Sequence, residues 1–450
     1  KGRAMVAQGE AFDPSPANIE ARTERFTLPN GLKGALLPKK TKGAMVSANL
    51  ILRTGTADSL KGKADAGSFA AALLMRGTER LSRQEIKDSF DKLKAQVSIG
   101  GGAEGVSASV TTTRDNLAPA MALLAEVLKK PAFADSEFAE LQRERIGRIE
   151  QDMPEPQPLA FNAFQRLLDA TPEGHVKHVE TLPQKLAHVR ALKVEDVKAF
   201  HSSFYGAGDA TFAAVGDFDP KEVKAQLATL FGDWRAAQPY QRIPGTIKHA
   251  AGEKIALETP DKANSVLIAV HPLPLKDDAQ AFPALLMANH MLGGGALRSR
   301  LADRIRQKEG LSYGVGSQLN IPARDPAGLW LAYAISAPQN TAKVEAALRE
   351  EIDLALKEGF TAAELAEAKK GWKQGEEVYR TEDGPLAGRL ASYLTLDRTM
   401  AFDKDLEAKV AALTVAQVNE ALRGNLKPAS VSIVSAGDFS KAGKPAEAKK

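Results

Sequence analysis

Seven histidines and no cysteine limit the chemistry open to this chain. Without thiols there is no disulfide, thiolate metal site or cysteine nucleophile, which suits the cytoplasm and equally a bacterial periplasm. The histidines are His175, His178, His188, His201, His249, His271 and His290. None has the His-x-x-Glu-His or His-Glu-x-x-His spacing that sets two imidazoles on one helix face around zinc. His175 and His178 could share a metal on a helix, but only Glu173 and Glu180 stand near them in sequence, so a solvated loop is expected.

Gly293-Gly294-Gly295 precedes a helical pattern, a place where backbone N–H groups can hold a phosphate. No Gly-Lys-Ser or Gly-Lys-Thr follows, and the spacing fits neither the P-loop nor the dinucleotide fingerprint, so a flexible turn is expected. Leu297, Leu301 and Ile305 then recur every four residues, predicting a helix with one apolar stripe, ended by Gly310 before a strand that starts near Leu311. Arg306 and Tyr313 stand on the two sides of that junction. On spacing alone, Arg306 is one solvated arginine among Arg298, Arg300 and Arg304, and Tyr313 a strand aromatic.

The elements that must position these residues come in duplicate. Ala191 to Val197 is echoed by Ala412 to Val418, and Gly216-Asp217-Phe218 by Gly437-Asp438-Phe439, both at an offset of 221 (412 minus 191, 437 minus 216). Phe133 to Leu141 matches Phe360 to Ala368 at 227 (360 minus 133), the difference fitting a loop insertion. Two homologous domains follow. Val46 to Leu52, Val106 to Thr112, Val266 to Val270 and Leu329 to Ser336 read as strands. Leu117 to Lys129, Glu137 to Gln151, Ala281 to Leu292, Ala342 to Lys357 and Ala362 to Val378 carry helical spacing. The fold expected is α+β, two domains each with a mixed, mainly antiparallel sheet flanked by helices. The divisions expected are a linker or arm over 1–22, domains over 23–240 and 241–440, and a flexible tail over 441–450.

With 60 basic and 56 acidic residues the net charge is only +4, so nucleic acid is not an expected partner. Nor does any stretch approach the roughly 18 unbroken apolar residues of a membrane span. Lys1 to Arg22, with Pro14 and Pro16, lacks an apolar signal core and suits a linker to a preceding domain.

Two stretches carry a family resemblance. Gly62 to Thr78 resembles the signature region of the pitrilysin and insulin-degrading-enzyme family of zinc metallopeptidases, in which a helix bears His-x-x-Glu-His shortly before a Gly-Thr. Gly77-Thr78 places that motif on Ser68-Phe69-Ala70-Ala71-Ala72, so Ser68 and Ala72 stand for the two zinc ligands and Ala71 for the general base. The family's third ligand, a glutamate further on, falls where Arg148 and Ile149 stand, with Glu150 adjacent. The resemblance thus implies no metal in this chain. Leu292 to Gly316 resembles the family's arginine-tyrosine element, in which the two residues are seven positions apart, as Arg306 and Tyr313 are. In the family that pair reaches across a cavity to the zinc site on the other half, binds substrate and stabilises the oxyanion. By resemblance to the non-catalytic subunit of mitochondrial processing peptidase, Gly293, Gly294 and Gly295 would touch substrate, although the loop here is shorter.

The resemblance therefore implies the non-zinc half of a metallopeptidase, not catalytic alone. It would pair with a zinc-bearing homologous subunit or N-terminal half to enclose a peptide, in the periplasm or otherwise exported. Two other readings are a scaffolding subunit of the same fold, like the core subunits of the respiratory bc complex, and a peptide-binding module acting alone.

Overall fold

A computed structural model describes residues 8–249, 252–295 and 298–441. The fold is α+β, built on two sheets of one topology. The first contains β1 (Glu24–Thr27), β2 (Lys33–Pro38), β3 (Met45–Arg53), β4 (Gln96–Gly102), β5 (Gly105–Thr113) and β6 (Thr211–Gly216), ordered β1-β2-β6-β3-β5-β4. The second contains β7 (Lys254–Glu258), β8 (Ser265–Leu273), β9 (Gly314–Asn320), β10 (Gly328–Ser336) and β11 (Ser432–Gly437), ordered β7-β11-β8-β10-β9. Without β1 the two orders coincide strand for strand. In each sheet the pair that brings the domain's last strand beside its first equivalent one, β2 with β6 and β7 with β11, is parallel, and the other pairs are antiparallel. The Gly-Asp-Phe echo marks the ends of β6 and β11.

β6, β8 and β11 are buried along their whole length. Such strands are covered on both faces, which is why Val266 to Val270 is an unbroken apolar run rather than an alternation. The covers are exchanged between the halves. The helix Pro156–Leu168 lays Ala160, Phe164 and Leu168 on Val266, Ile268, Val270, Val434 and Ala436 of the second sheet. The helix Asp383–Thr395 lays Leu386, Ala387, Leu390, Ala391 and Leu394 on Ala35, Leu37, Ala213 and Val215 of the first. Each presents residues at i, i+4 and i+8, one stripe of a helix. Lys39, 9% exposed at the end of β2, fixes the visiting helix through Asp383 at 2.6 Å. Each half of the sequence thus completes the core of the other.

Residues 8–22, expected to be a linker arm, are docked instead. Ser15 caps and Pro16 opens the helix Pro16–Arg22, the roles these residues suit. Ile19 is fully buried beneath the helix Asp383–Thr395. Arg380, 1% exposed, donates to the Pro14 carbonyl at 2.7 Å, and the Met400 N–H to Glu20 at 3.0 Å. Of the tail expected at 441–450, residues 442–450 lie outside the described residues.

Candidate functional site

The degenerate motif lies on the helix Ala64–Leu73, packed against the β4–β5 hairpin. Its small residues permit that approach: a Cβ on Gly67 would meet the Ala103 Cα at 2.4 Å, and Ala66, Phe69, Ala70 and Ala71 are buried. Ser68 and Ala72 are half-buried on the remaining face. Ser68 accepts a hydrogen bond from Nη1 of Arg145 at 2.9 Å, and that guanidinium lies 5.2 Å from the centre of the Phe69 ring. Burial, with Arg76 nearby, pushes the Arg145 pKa down.

These residues do not fit zinc. Ala71 and Ala72 have no donor atoms, and the one oxygen available, on Ser68, faces a cation. The third-ligand position does not help: Ile149 is in the core, Arg148 is exposed, and Glu150 pairs with Arg190 at 2.6 Å. Arg145 was missed in the sequence, although it lies on the face of Ile149 one turn earlier in the helix Asp135–Asp152, a spacing that points it at the same neighbour.

One grouping among the described residues has metal-ligand geometry, and sequence reasoning missed it. Asp65, one turn before Ser68, has a carboxylate oxygen within 4.8 Å of ligand atoms of both Glu180 and His188. Burial and the Glu180 charge raise the Asp65 pKa, while His188 Nδ1 already faces Glu180. Residues 65, 180 and 188 lie on separate elements, so no local spacing betrays them. The loop expected around His175 and His178 is present, but His178 is held by a carboxylate that sequence proximity did not offer. Its Nδ1 lies 2.8 Å from Asp169, which also accepts from the Thr171 and Val179 N–H groups, and His175 Nδ1 accepts from the Lys177 N–H. The two histidines serve the loop's own structure.

In the second half, Leu301 and Ile305 are fully buried, as the stripe requires, while Leu297 lies outside the described residues. The segment Ala302–Lys308 is wound as a π-helix, and so is His290–Gly294 before it. Such turns are rare and concentrate at functional sites. Gly293 and Gly294 therefore close a helix, where a flexible turn was expected, and Gly295 caps it in an extended conformation. Gly293 is buried, and a Cβ there would meet Ser317 Oγ at 2.4 Å; Gly294 is exposed and Gly295 half-buried. Close packing explains the first glycine.

Gly310 ends the helix at a φ of 60°. The strand then begins at Gly314 rather than near Leu311, because Leu311 to Tyr313 form an anchored turn. The Leu311 N–H donates to the Ile305 carbonyl and the Tyr313 N–H to that of Ile335, both at 2.9 Å. The Ser312 hydroxyl lies 2.6 Å from the Gly314 carbonyl oxygen and 2.7 Å from that of Ile335.

On this fixed backbone Tyr313 is 66% exposed and Arg306 is exposed. Two of the arginines beside it are tied down. Arg300 makes two hydrogen bonds to Glu364 and lies over Phe360, and Arg304 reaches Glu309, Glu350 and Glu351. Arg306 has no carboxylate partner among the described residues. The structure thus brings a guanidinium and a phenol, neither with a partner side chain among the described residues, to one helix–strand junction whose backbone is hydrogen-bonded on both sides. It also separates Arg306 from Arg300 and Arg304, two of the three arginines with which spacing had grouped it.

Two like sheets exchanging helices, with a helix that carries none of the motif's metal ligands, define a peptidase-like fold. Residues 191–371 match the family model described as the peptidase M16 inactive domain, a span that includes Arg306 and Tyr313. Over this span the chain is similar to M16 peptidase domains, in agreement with the family resemblance read from its sequence. It is 26% identical over 429 residues to an uncharacterized zinc protease of Streptomyces coelicolor, covering 91% of this chain and 89% of the relative. It is 21% identical over 383 residues to the non-peptidase homolog YmxG of Helicobacter pylori, covering 84% and 85%. The fold is that of a peptidase M16 inactive domain from Pseudomonas fluorescens, with a TM-score of 0.79 at 24% identity over 94% of this chain and 100% of that one. It also matches the periplasmic protease PqqL of Escherichia coli, with a TM-score of 0.73 at 16% identity. There 95% of this chain covers 46% of the other. No helix among the described residues is long and apolar enough to cross a membrane.

Proposed function

We propose that this chain is the non-zinc half of a metallopeptidase assembly. It pairs with a homologous half or subunit bearing His-x-x-Glu-His, and the two enclose a peptide substrate. The observation that carries this reading is the Arg306–Tyr313 junction. Both side chains are exposed, and Arg306 is unpaired among the described residues, on a backbone held from both sides. A cation and a phenolic donor with unspent hydrogen-bonding capacity, carried on a fixed backbone, are what an oxyanion forming in a partner's site can use. The partner's zinc would polarise the peptide carbonyl and activate water. Gly294 and Gly295 would line the path of the substrate beside the pair. A periplasmic setting belongs to the same proposal, and the match to about half of a periplasmic protease agrees with it.

A second reading, a scaffold without proteolysis, is favoured by the non-peptidase naming of the H. pylori homolog. Affinity purification of the tagged full chain from its own cells, with metal analysis of whatever co-purifies, separates the two. A zinc peptidase bound in equal amount supports the assembly. Its absence, or recovery of a membrane complex with no peptidase, refutes it.

A further inference from the structure

The helix face emptied of metal ligands still presents a positive charge. Arg145 makes one side-chain hydrogen bond among the described residues, to the neutral Ser68 hydroxyl, and has no carboxylate within ion-pair distance. Its guanidinium has five N–H donors in a planar fork that matches a carboxylate. Phe69, 1% exposed and itself packed 5.6 Å from Phe138, supports one face of the fork and restricts its orientation. The nearby carboxylates are engaged elsewhere: Glu144 pairs with Arg76 at 2.9 Å, and Glu180 faces His188. Arg76 and Arg148 add positive potential, while Asp65, on the same helix face as Ser68, offsets part of it. A half-buried guanidinium with most of its donors unused gains by taking an anionic acceptor, because its desolvation has already been incurred.

We infer that Arg145, held on Ser68 and Phe69, is a receptor for a carboxylate group of a bound peptide. This rests on the peptide-binding part of the proposed function, but needs neither a partner nor cleavage. The group bound is either a C-terminal carboxylate or an acidic side chain.

The test uses the full chain alone and three dye-labelled Ala/Val peptides: one with a free C-terminus, one amidated, and one amidated with an internal Glu. Fluorescence anisotropy should show the free acid, the Glu peptide or both binding about tenfold more tightly than the plain amide, the scale of a charge-assisted bidentate pair. Whichever carboxylate gives the gain identifies the source. The gain should collapse in R145Q and persist in R143Q, which removes an exposed charge from the same helix; circular dichroism checks the fold of each variant. Equal binding of acid and amide by the natural chain, no binding of any peptide, or a preference that survives R145Q overturns the inference. None of these results bears on whether a zinc peptidase co-purifies, so the assembly proposal stands or falls separately.

Discussion

Leu390→Ala tests the exchange of helices most directly. Leu390 is 1% exposed on the helix Asp383–Thr395, between Leu386 and Leu394 in the stripe that covers β2 and β6. Removing a buried leucine side chain costs its transfer free energy plus a cavity term, about 2–5 kcal/mol in all. The opposing Ala35 and Ala213 are small and sit on strands fixed by pairing on both sides, so little collapse is available and about 3 kcal/mol or more is expected. The effect should appear in the first sheet although the mutation lies late in the chain. Urea unfolding gives the magnitude, and hydrogen exchange of the β2 and β6 amides gives the place. A loss below about 1 kcal/mol, or faster exchange confined to β8 and β11, would refute the account. The mirror variant Phe164→Ala should cost about 3–5 kcal/mol and loosen β8 and β11.

In the assembled enzyme, Arg306→Ala and Tyr313→Phe should each lower kcat by roughly tenfold to a thousandfold, the range for a lost oxyanion donor; natural turnover in both would make the pair structural. Elemental analysis of the dialysed chain should find well under one zinc per molecule, and peptidase activity should be absent; stoichiometric zinc with activity lost on chelation would sink that expectation. Asp325 gives a pH prediction. Burial alone would raise its pKa, but the Arg242 guanidinium and the Gly245 N–H, both at 2.8 Å, outweigh that and hold it below the usual carboxylate range. A lowered carboxyl pKa stabilises the fold above the unfolded value of about 3.9, and the contribution is lost as pH falls through the folded value. Asp325→Asn should therefore flatten the acid limb of the stability curve below about pH 4, and an unchanged limb would exclude the contribution.

The sequence by itself determined whatever is local or repeated. Alternation placed β3 and β5, the echoes at one offset gave two halves whose sheets share one strand order, and Ala71 and Ala72 removed the motif's chemistry wherever the helix packs. It also placed Arg306 and Tyr313 on the two sides of a helix end, because Leu301 and Ile305 mark the buried face and Gly310 the stop. Tertiary structure decided which element covers which sheet, since Leu390 and Phe164 carry the same apolar stripe and nothing in a stripe names its partner. It decided that Arg145 lies on Ser68, that His178 meets Asp169, and that Arg306 is unpaired among the described residues while Arg300 and Arg304 are not. Those facts depend on distances between segments far apart in the chain, which periodicity and spacing do not encode.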